Sequence, residues 1–304
     1  MTHRLRSALV ILAVCLLRLA PATAHPGSGI VVTAQGDIFF VDNSPPPPEG
    51  TGKGIVWKLA ADGKLTPSAD MGGGHWLASD TLGAFTHADF MKWFRPHVTP
   101  NFQRVMPADF NPSLILTDAC PFVINRDGNL YYADRGQEIT RLSPDGSVTN
   151  FTPNFSRTTE KLGGITGLAC GPDGTLYAAC PSALLKINTD GGVSTLVHPI
   201  ELKDCQHVAN SNEPDPYLRG LAVDPAGVVY AVATNCRRVL KITRDGTVSV
   251  ILRSQGPWLP TGIALADRDI YVLEFTDEPP TRWRPRVRRL QPTQTATVVA
   301  EIKR

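Results

Sequence analysis

The stretch Ile165-Thr166-Gly167-Leu168-Ala169-Cys170 opens a sequence pattern that recurs along the chain. After it come the turn Asp173-Gly174, an apolar run at Leu176-Tyr177, a third apolar run with a basic residue at Leu185-Lys186-Ile187, and the turn Asp190-Gly191. The same order returns between Leu218 and Gly246. A repeat of about 40 to 50 residues built from short strands and tight turns is typical of β-propellers. The sequence therefore predicts strands that act as scaffold and loops that surround a central channel.

Six such units fit between Gly29 and Ile302, and five of them contain material for four strands. The inner strands are nearly all apolar, as expected for strands buried on both faces between neighbouring blades. Unit two begins at His75 and soon becomes irregular, so its later strands must come from Phe90–Thr117. Complete first and last units predict a ring that closes without a borrowed strand. The predicted fold is all-β, a single six-bladed propeller with four-stranded blades over residues 25–304.

The long connections are all predicted to lie on one face of this propeller. They are Asn43–Gly54, Pro199–Tyr217, Phe275–Pro285 and much of Phe90–Ala119. One-sided elaboration of a scaffold is typical of a binding face, although loops can also merely cap a channel. Cys205 and Cys236 both fall in loops of this face, and we expect them to form a disulfide.

The N-terminus has the three parts of a secretory signal peptide: arginines at positions 4 and 6, an apolar run, and an A-x-A site that ends at Ala24. We expect residues 1–24 to be removed and the mature protein to be secreted or periplasmic, with no membrane span. Removal takes away three arginines and no acidic residue, so the formal net charge changes from +2 to −1. A near-neutral chain has no electrostatic footprint for nucleic acid. Alternating arginines at positions 282, 284, 286, 288 and 289 predict a solvated face, with an anion-binding strip as the alternative.

Aligning the units on their turns places one residue of each blade at the mouth of the channel: Ser28, His75, Cys120, Thr166, Arg219 and Thr261. The ends of the second strands form another ring on the same face: Asp42, Asp134, Cys180, Ala233 and Glu274. A small ligand or a metal ion would be held between these two rings.

The phrases Gly167-Leu168-Ala169, Gly220–Pro225 and Gly262-Ile263-Ala264, each followed by a turn and an aromatic strand, resemble NHL repeats. They also resemble the SMP-30/gluconolactonase/LRE-like superfamily of six-bladed propellers. That resemblance covers most of the chain after residue 24 and implies the fold, whereas members of the superfamily differ in function. Lactonase members hold a divalent cation with a Glu, an Asn and an Asp at blade mouths, and these positions fall on Ser28, Thr166 and Arg219. A guanidinium in place of a carboxylate reverses the charge where a cation would bind.

Three acidic residues, Asp42, Asp134 and Glu274, offer a displaced oxygen site for a divalent cation, or else they are turn formers. His75 can be a packing residue, a general base or a metal ligand, and a metal site of His75, Cys120 and His207 is a further alternative. An arginine that points into a channel must be paired or hydrated. Arg219 is therefore expected either to pair with Glu213 or Asp215 or to receive an anionic group from a ligand.

Three functions are compatible with these sequence features. The favoured one is a secreted monomer that binds a small, anionic molecule, or a glycan or protein partner, at the loop-rich face through Ser28, His75, Cys120, Thr166, Arg219, Thr261 and Glu274. The second is a metal-assisted hydrolase or lyase that uses His75 and a divalent cation held by the three acidic residues. The third is an assembly role with an inert channel.

Overall fold

A computed structural model describes residues 28–43, 54–70, 74–85, 102–105, 113–134, 136–153, 155–205, 207–208, 211–276, 284–293 and 295–303. The predicted signal peptide lies outside the described residues, as do most of the connections after Asn43 and Thr276. Within the described part, no helix has the length and hydrophobicity needed to cross a membrane.

Five antiparallel sheets contain four strands each, in chain order from the channel outward. Blade one has β1 (Ile30–Val32), β2 (Ile38–Asp42), β3 (Ile55–Leu59) and β4 (Leu65–Asp70), and blade three has β8 (Phe122–Ile124), β9 (Leu130–Asp134), β10 (Glu138–Leu142) and β11 (Val148–Asn150). Blade four has β12 (Gly167–Cys170), β13 (Leu176–Cys180), β14 (Ala183–Ile187) and β15 (Val193–Val197). Blade five has β16 (Leu218–Val223), β17 (Val229–Ala233), β18 (Arg238–Ile242) and β19 (Val248–Arg253). Blade six has β20 (Trp258–Ala266), β21 (Asp269–Thr276), β22 (Pro285–Leu290) and β23 (Ala296–Glu301).

Blade two departs from this order. Its described strands are β5 (Trp76–Asp80), β6 (Gln103–Val105) and β7 (Ser113–Thr117), and they pair in the order β5-β7-β6. Counted outward from the channel, β6 therefore occupies the third position in the sheet, and β7, which follows it in the chain, occupies the second. The prediction that the later strands lie within residues 90–117 is confirmed. The described part of this blade contains three strands, and they do not pair in chain order.

The six inner strands form a closed ring. Contacts run from β1 to β5, β8, β12, β16 and β20, and β20 packs against β1 again. Each blade consists of strands from one continuous part of the chain, so the ring closes by packing between the first and last blades, as predicted. The ring leaves only short inner strand edges, which are protected because they face the channel.

Glycines allow the inner strands to approach this closely. A Cβ built on Gly167 would lie 1.9 Å from the carbonyl oxygen of Arg219, and one built on Gly262 would lie 2.4 Å from the carbonyl oxygen of Ser28. A Cβ on Gly220 would lie 2.8 Å from the Cα of Gly262. The glycine that follows the mouth residue in four of the six blades is thus needed for backbone contact between blades.

The core lies between the blades. All five residues of β2 and of β13 are buried. A typical cluster joins Leu184 of blade four to Leu218 and Ala231 of blade five. Burial of apolar side chains between twisted sheets contributes about 25 cal/mol per Å² of apolar surface removed from water, so the blades stabilise one another. A short helix, α1 (Ser156–Lys161), connects blades three and four and was not predicted.

Candidate functional site

Four of the six predicted mouth residues precede an inner strand by one or two positions, whereas Arg219 is the second residue of β16 and Thr261 is the fourth residue of β20. The backbone N–H of Ser28 donates to the carbonyl of His75 (2.7 Å), and the N–H of His75 donates to the carbonyl of Thr117 (3.0 Å). Cys120 and Thr261 are buried, while His75 and Thr166 are partly exposed. The structure therefore brings these residues to one end of the channel.

Arg219 crosses the channel. Its Cζ lies 5.9 Å from the centroid of the Trp76 ring. Arg219 belongs to blade five and Trp76 to blade two. These blades are opposite each other, because blades three and four lie between them on one side of the ring and blades six and one on the other. Contact between side chains from opposite blades is possible only across the channel. The mouth is thus spanned by a guanidinium held over an indole.

The guanidinium of Arg219 is buried without a partner among the described residues. The residue is 8% exposed, and its guanidinium makes no hydrogen bond or ion pair within the described part of the chain. Burial lowers the pKa of Arg219, while the nearby Tyr217 and Glu213 oppose this effect. The expected pairing with Asp215 is wrong, because that carboxylate accepts a hydrogen bond from His207 instead. Glu213 acts on Arg219 only as a nearby charge and forms no ion pair with it.

A second polar group at the mouth also lacks a partner. Ser28 Oγ is buried and makes no hydrogen bond within the described residues. The hydroxyls of the two mouth threonines are engaged, since Thr166 donates to the carbonyl of Ala179 (3.2 Å) and Thr261 to that of Leu273 (3.5 Å). Buried polar groups in native proteins are nearly always paired, so orphaned groups indicate a place where water or a ligand binds.

Two aromatic side chains at the mouth were not predicted as site residues. Trp76 occupies the position that is glycine in four of the six repeats, and this substitution was the signal that could have revealed it. Tyr217 lies immediately before β16, in the left-handed backbone region (φ 52°). Burial raises the pKa of Tyr217, so its hydroxyl is neutral near pH 7.

Glu274, predicted as a ligand or metal residue, lies in an ion-pair network. It is completely buried. Its carboxylate accepts hydrogen bonds from Arg286 Nε (2.5 Å), from Arg288 Nη1 (3.4 Å) and from Ser254 Oγ. Both oxygens are therefore already used, and this geometry offers no support for a metal at Glu274. The cross-strand pairing of Glu274 with Arg286 in the β21–β22 ladder produces the contact.

The described arginines of the blade-six strip form ion pairs, and the predicted solvated face is wrong for Arg286 and Arg288, whose side chains are largely buried, whereas the Arg289 side chain is 40% exposed. Arg284 pairs with Glu301 (3.3 Å), and Arg289 pairs with Asp269 (2.5 Å). Arg286 also stacks over Trp258, 3.8 Å from the ring centroid. Arg282 lies outside the described residues.

The other predicted metal residues are placed as follows. Asp42 is buried and accepts a hydrogen bond from the indole Nε1 of Trp57 (3.1 Å). Asp134 ends β9, where its backbone pairs with Glu138. Among the described residues, the one cluster of three groups with metal-ligand spacing is Cys205, Asp215 and Cys236. The disulfide consumes both of those thiols.

The predicted disulfide Cys205–Cys236 is present. It helps to fasten the connection 199–217 to blade five. Arg238 donates to the carbonyls of Lys203 and Asp204, both at 2.7 Å, and Asn235 Nδ2 donates to the carbonyl of Glu213 (2.7 Å). These contacts hold the segment that carries Glu213 and Tyr217 in a fixed position beside Arg219.

His207 lies in the same connection, exposed and bound to Asp215, so a metal site of His75, Cys120 and His207 has no support here.

The His207–Asp215 pair predicts a pH dependence. The hydrogen bond that His207 donates to Asp215 raises the pKa of His207, and the carbonyl of Ser211 adds to the effect. Because the folded-state pKa is above the unfolded value, the stabilising contribution is complete below the unfolded pKa and is lost as pH rises through the folded pKa. We expect Asp215→Asn to lower the pKa of His207, measured by NMR titration of its ring protons. Glu201→Gln, which changes the net charge equally, should leave that titration in place; equal shifts in both variants would contradict the assignment.

Comparison with known proteins supports the architecture. No family model and no curated protein matches the sequence. Among solved structures, a gluconolactonase from Xanthomonas campestris is 16% identical, with 82% of this chain and 83% of that chain covered at a TM-score of 0.53. A virginiamycin B lyase from Staphylococcus aureus is 13% identical, with 93% and 86% covered at a TM-score of 0.51. The chain thus shares the six-bladed propeller fold of the gluconolactonase and virginiamycin B lyase structures.

Proposed function

We propose that the chain is an exported, monomeric propeller that binds a small anionic molecule at the mouth of its channel. One observation carries this proposal: the guanidinium of Arg219 is buried and has no hydrogen bond or ion pair within the described residues. A largely buried guanidinium is unfavourable unless water or a ligand solvates it, and the cation–π contact with Trp76 contributes about 0.5–2 kcal/mol. An anionic group from a ligand would supply the missing partner.

The surrounding structure supports ligand binding over an inert channel. The face is preorganised, because the disulfide and the Arg238 contacts fix the connection that reaches the mouth. Preorganisation lowers the entropic cost of binding. Ser28 Oγ offers one more hydrogen bond on the same ring.

Arg219→Met is expected to stabilise the empty protein and abolish anion binding. Methionine keeps the apolar stem and removes a charge that has no ion-pair partner among the described residues, so the desolvation cost of that charge disappears. Denaturant unfolding measures the free energy of unfolding, and calorimetric titration with benzoate and with inorganic phosphate measures binding. Arg219→Lys keeps the charge and serves as the matched control. A variant that is less stable than the wild type and still binds an anion would contradict the proposal.

A second function, metal-assisted hydrolysis or elimination, rests on His75. It is partly exposed at the mouth and directly precedes Trp76 in the chain, so it lies near the place where an anion would meet Arg219. A histidine there has the pKa range needed for a general base. Elemental analysis of protein purified without chelator, together with a panel of lactones and esters, tests this function. Stoichiometric divalent metal and turnover that is lost in His75→Gln would favour it over simple binding.

A further inference from the structure

Resting on the proposed function, we infer that the anion bound at Arg219 is a monocarboxylate with a flat, apolar body. The juxtaposition of one cation, one nearby acid and two aromatic side chains at the channel mouth selects this class of ligand among small anions.

The charge of the site selects a monoanion. Among the six mouth positions, Arg219 is the single permanent cation. The carboxylate of Glu213 lies near enough to act on it electrostatically, and the backbone of Glu213 is fixed because its carbonyl accepts a hydrogen bond from Asn235. A dianion such as a phosphate ester would bring one charge more than Arg219 neutralises and would be repelled by Glu213.

The hydrogen-bonding geometry selects a carboxylate. A guanidinium carries five N–H donors in its own plane, and paired donors match the two oxygens of a carboxylate. None of these donors is used by the described residues, and the cation lies over the face of Trp76. The indole thus supports the guanidinium and leaves its donors for the ligand.

The aromatic side chains select a flat body. Trp76 and Tyr217 are both partly exposed at the mouth, on opposite blades. Stacked or edge-to-face aromatic rings attract each other beyond the effect of the area they bury. The hydroxyl of Tyr217 adds a neutral donor next to the cation. An aliphatic acid would gain the ion pair without this stacking.

Calorimetric titration with four probes tests the inference: benzoate, acetate, cyclohexanecarboxylate and phenyl phosphate. We expect benzoate to bind at least about tenfold more tightly than each of the others, which is the ratio that 1.4 kcal/mol provides. Trp76→Leu should reduce the affinity for benzoate about tenfold and change that for acetate little. If Trp76→Leu fails to fold, Tyr217→Leu makes the same comparison.

The outcomes separate the inference from the function on which it rests. If phenyl phosphate or acetate binds as tightly as benzoate, and Arg219→Met abolishes that binding, the proposed anion site stands and the ligand class is wrong. If no probe binds, or binding is unchanged in Arg219→Met, both the inference and the proposed function fail. Selective benzoate binding that depends on both Arg219 and an aromatic side chain supports both.

Discussion

Gly167→Ala is expected to destabilise the protein more than a glycine-to-alanine substitution at any other described glycine of the inner strands. The new Cβ would lie 1.9 Å from the carbonyl oxygen of Arg219 and 3.0 Å from its carbonyl carbon. Both atoms are backbone of a neighbouring inner strand, so no side chain can rotate away. Inner strands β12 and β16 would have to separate, and the separation would spread around a closed ring. Overpacking typically costs about 1–3 kcal/mol, and a clash with fixed backbone belongs at or above the top of this range.

Denaturant unfolding followed by tryptophan fluorescence measures this loss, and we expect a fall of about 3 kcal/mol or more in the free energy of unfolding. Gly192→Ala is the matched control in the same blade. Gly192 is exposed, and its added Cβ meets first the side-chain oxygen Asp190 Oδ1, at 3.1 Å. That oxygen can move, so we expect a change within about 1 kcal/mol. Equal unfolding midpoints for the two variants would show that the inner strands are not in backbone contact.

The same substitution also links the fold to the site. The atom that clashes is the carbonyl of Arg219 itself, so any shift that relieves the clash moves this residue relative to Trp76. A partly folded Gly167→Ala variant should therefore lose anion binding before it loses its strands. Far-ultraviolet circular dichroism and benzoate titration on the same sample distinguish the two losses.

The repeat predicted most of the fold because each unit carries its own turn signals. Gly174 adopts φ +82°, and the Asp173 carboxylate accepts the N–H of Thr175, so the Asp-Gly pair forms the hairpin locally. In blade two, the later strands lack this local pattern. Their order depends on pairing between Trp76–Asp80 and Ser113–Thr117, which are far apart in sequence. Long-range pairing of this kind has no local sequence signal.

The candidate site was predicted in position but not in chemistry. Aligning the repeats located Arg219 at the mouth, yet the partner it lacks and the indole it reaches depend on residues from other blades. Glu274 illustrates the opposite failure. The sequence placed a carboxylate at the correct end of β21, but its neutralisation by Arg286 and Arg288 follows from the register of β22. Alternation of the arginines and the neighbouring strand were visible in the sequence, whereas the register that pairs Glu274 with Arg286 was not.

Glu274→Leu is expected to destabilise blade six by about 3–5 kcal/mol, because it removes one partner of a buried ion pair and leaves Arg286 and Arg288 uncompensated. Both arginine side chains are largely buried, at 13% and 14% exposure. Asp269→Asn is the matched control on the same strand, since it breaks the pair with Arg289, whose side chain is 40% exposed. A surface pair of this kind contributes about 0–1 kcal/mol.

Performing the unfolding measurement after treatment with chelator separates the ion-pair role from the metal role that the sequence had allowed for Glu274. A metal ligand would lose its contribution once the ion is removed, so wild type and Glu274→Leu would then unfold at similar denaturant concentrations. An ion-pair residue would keep the full difference, because its partners are arginines rather than an ion.

A second substitution sharpens the result: adding Arg286→Leu to Glu274→Leu removes one of the unpaired charges and should restore part of the lost stability. Without such recovery, the loss in Glu274→Leu would reflect packing rather than charge, and the network would have no electrostatic role in holding β21 and β22 together.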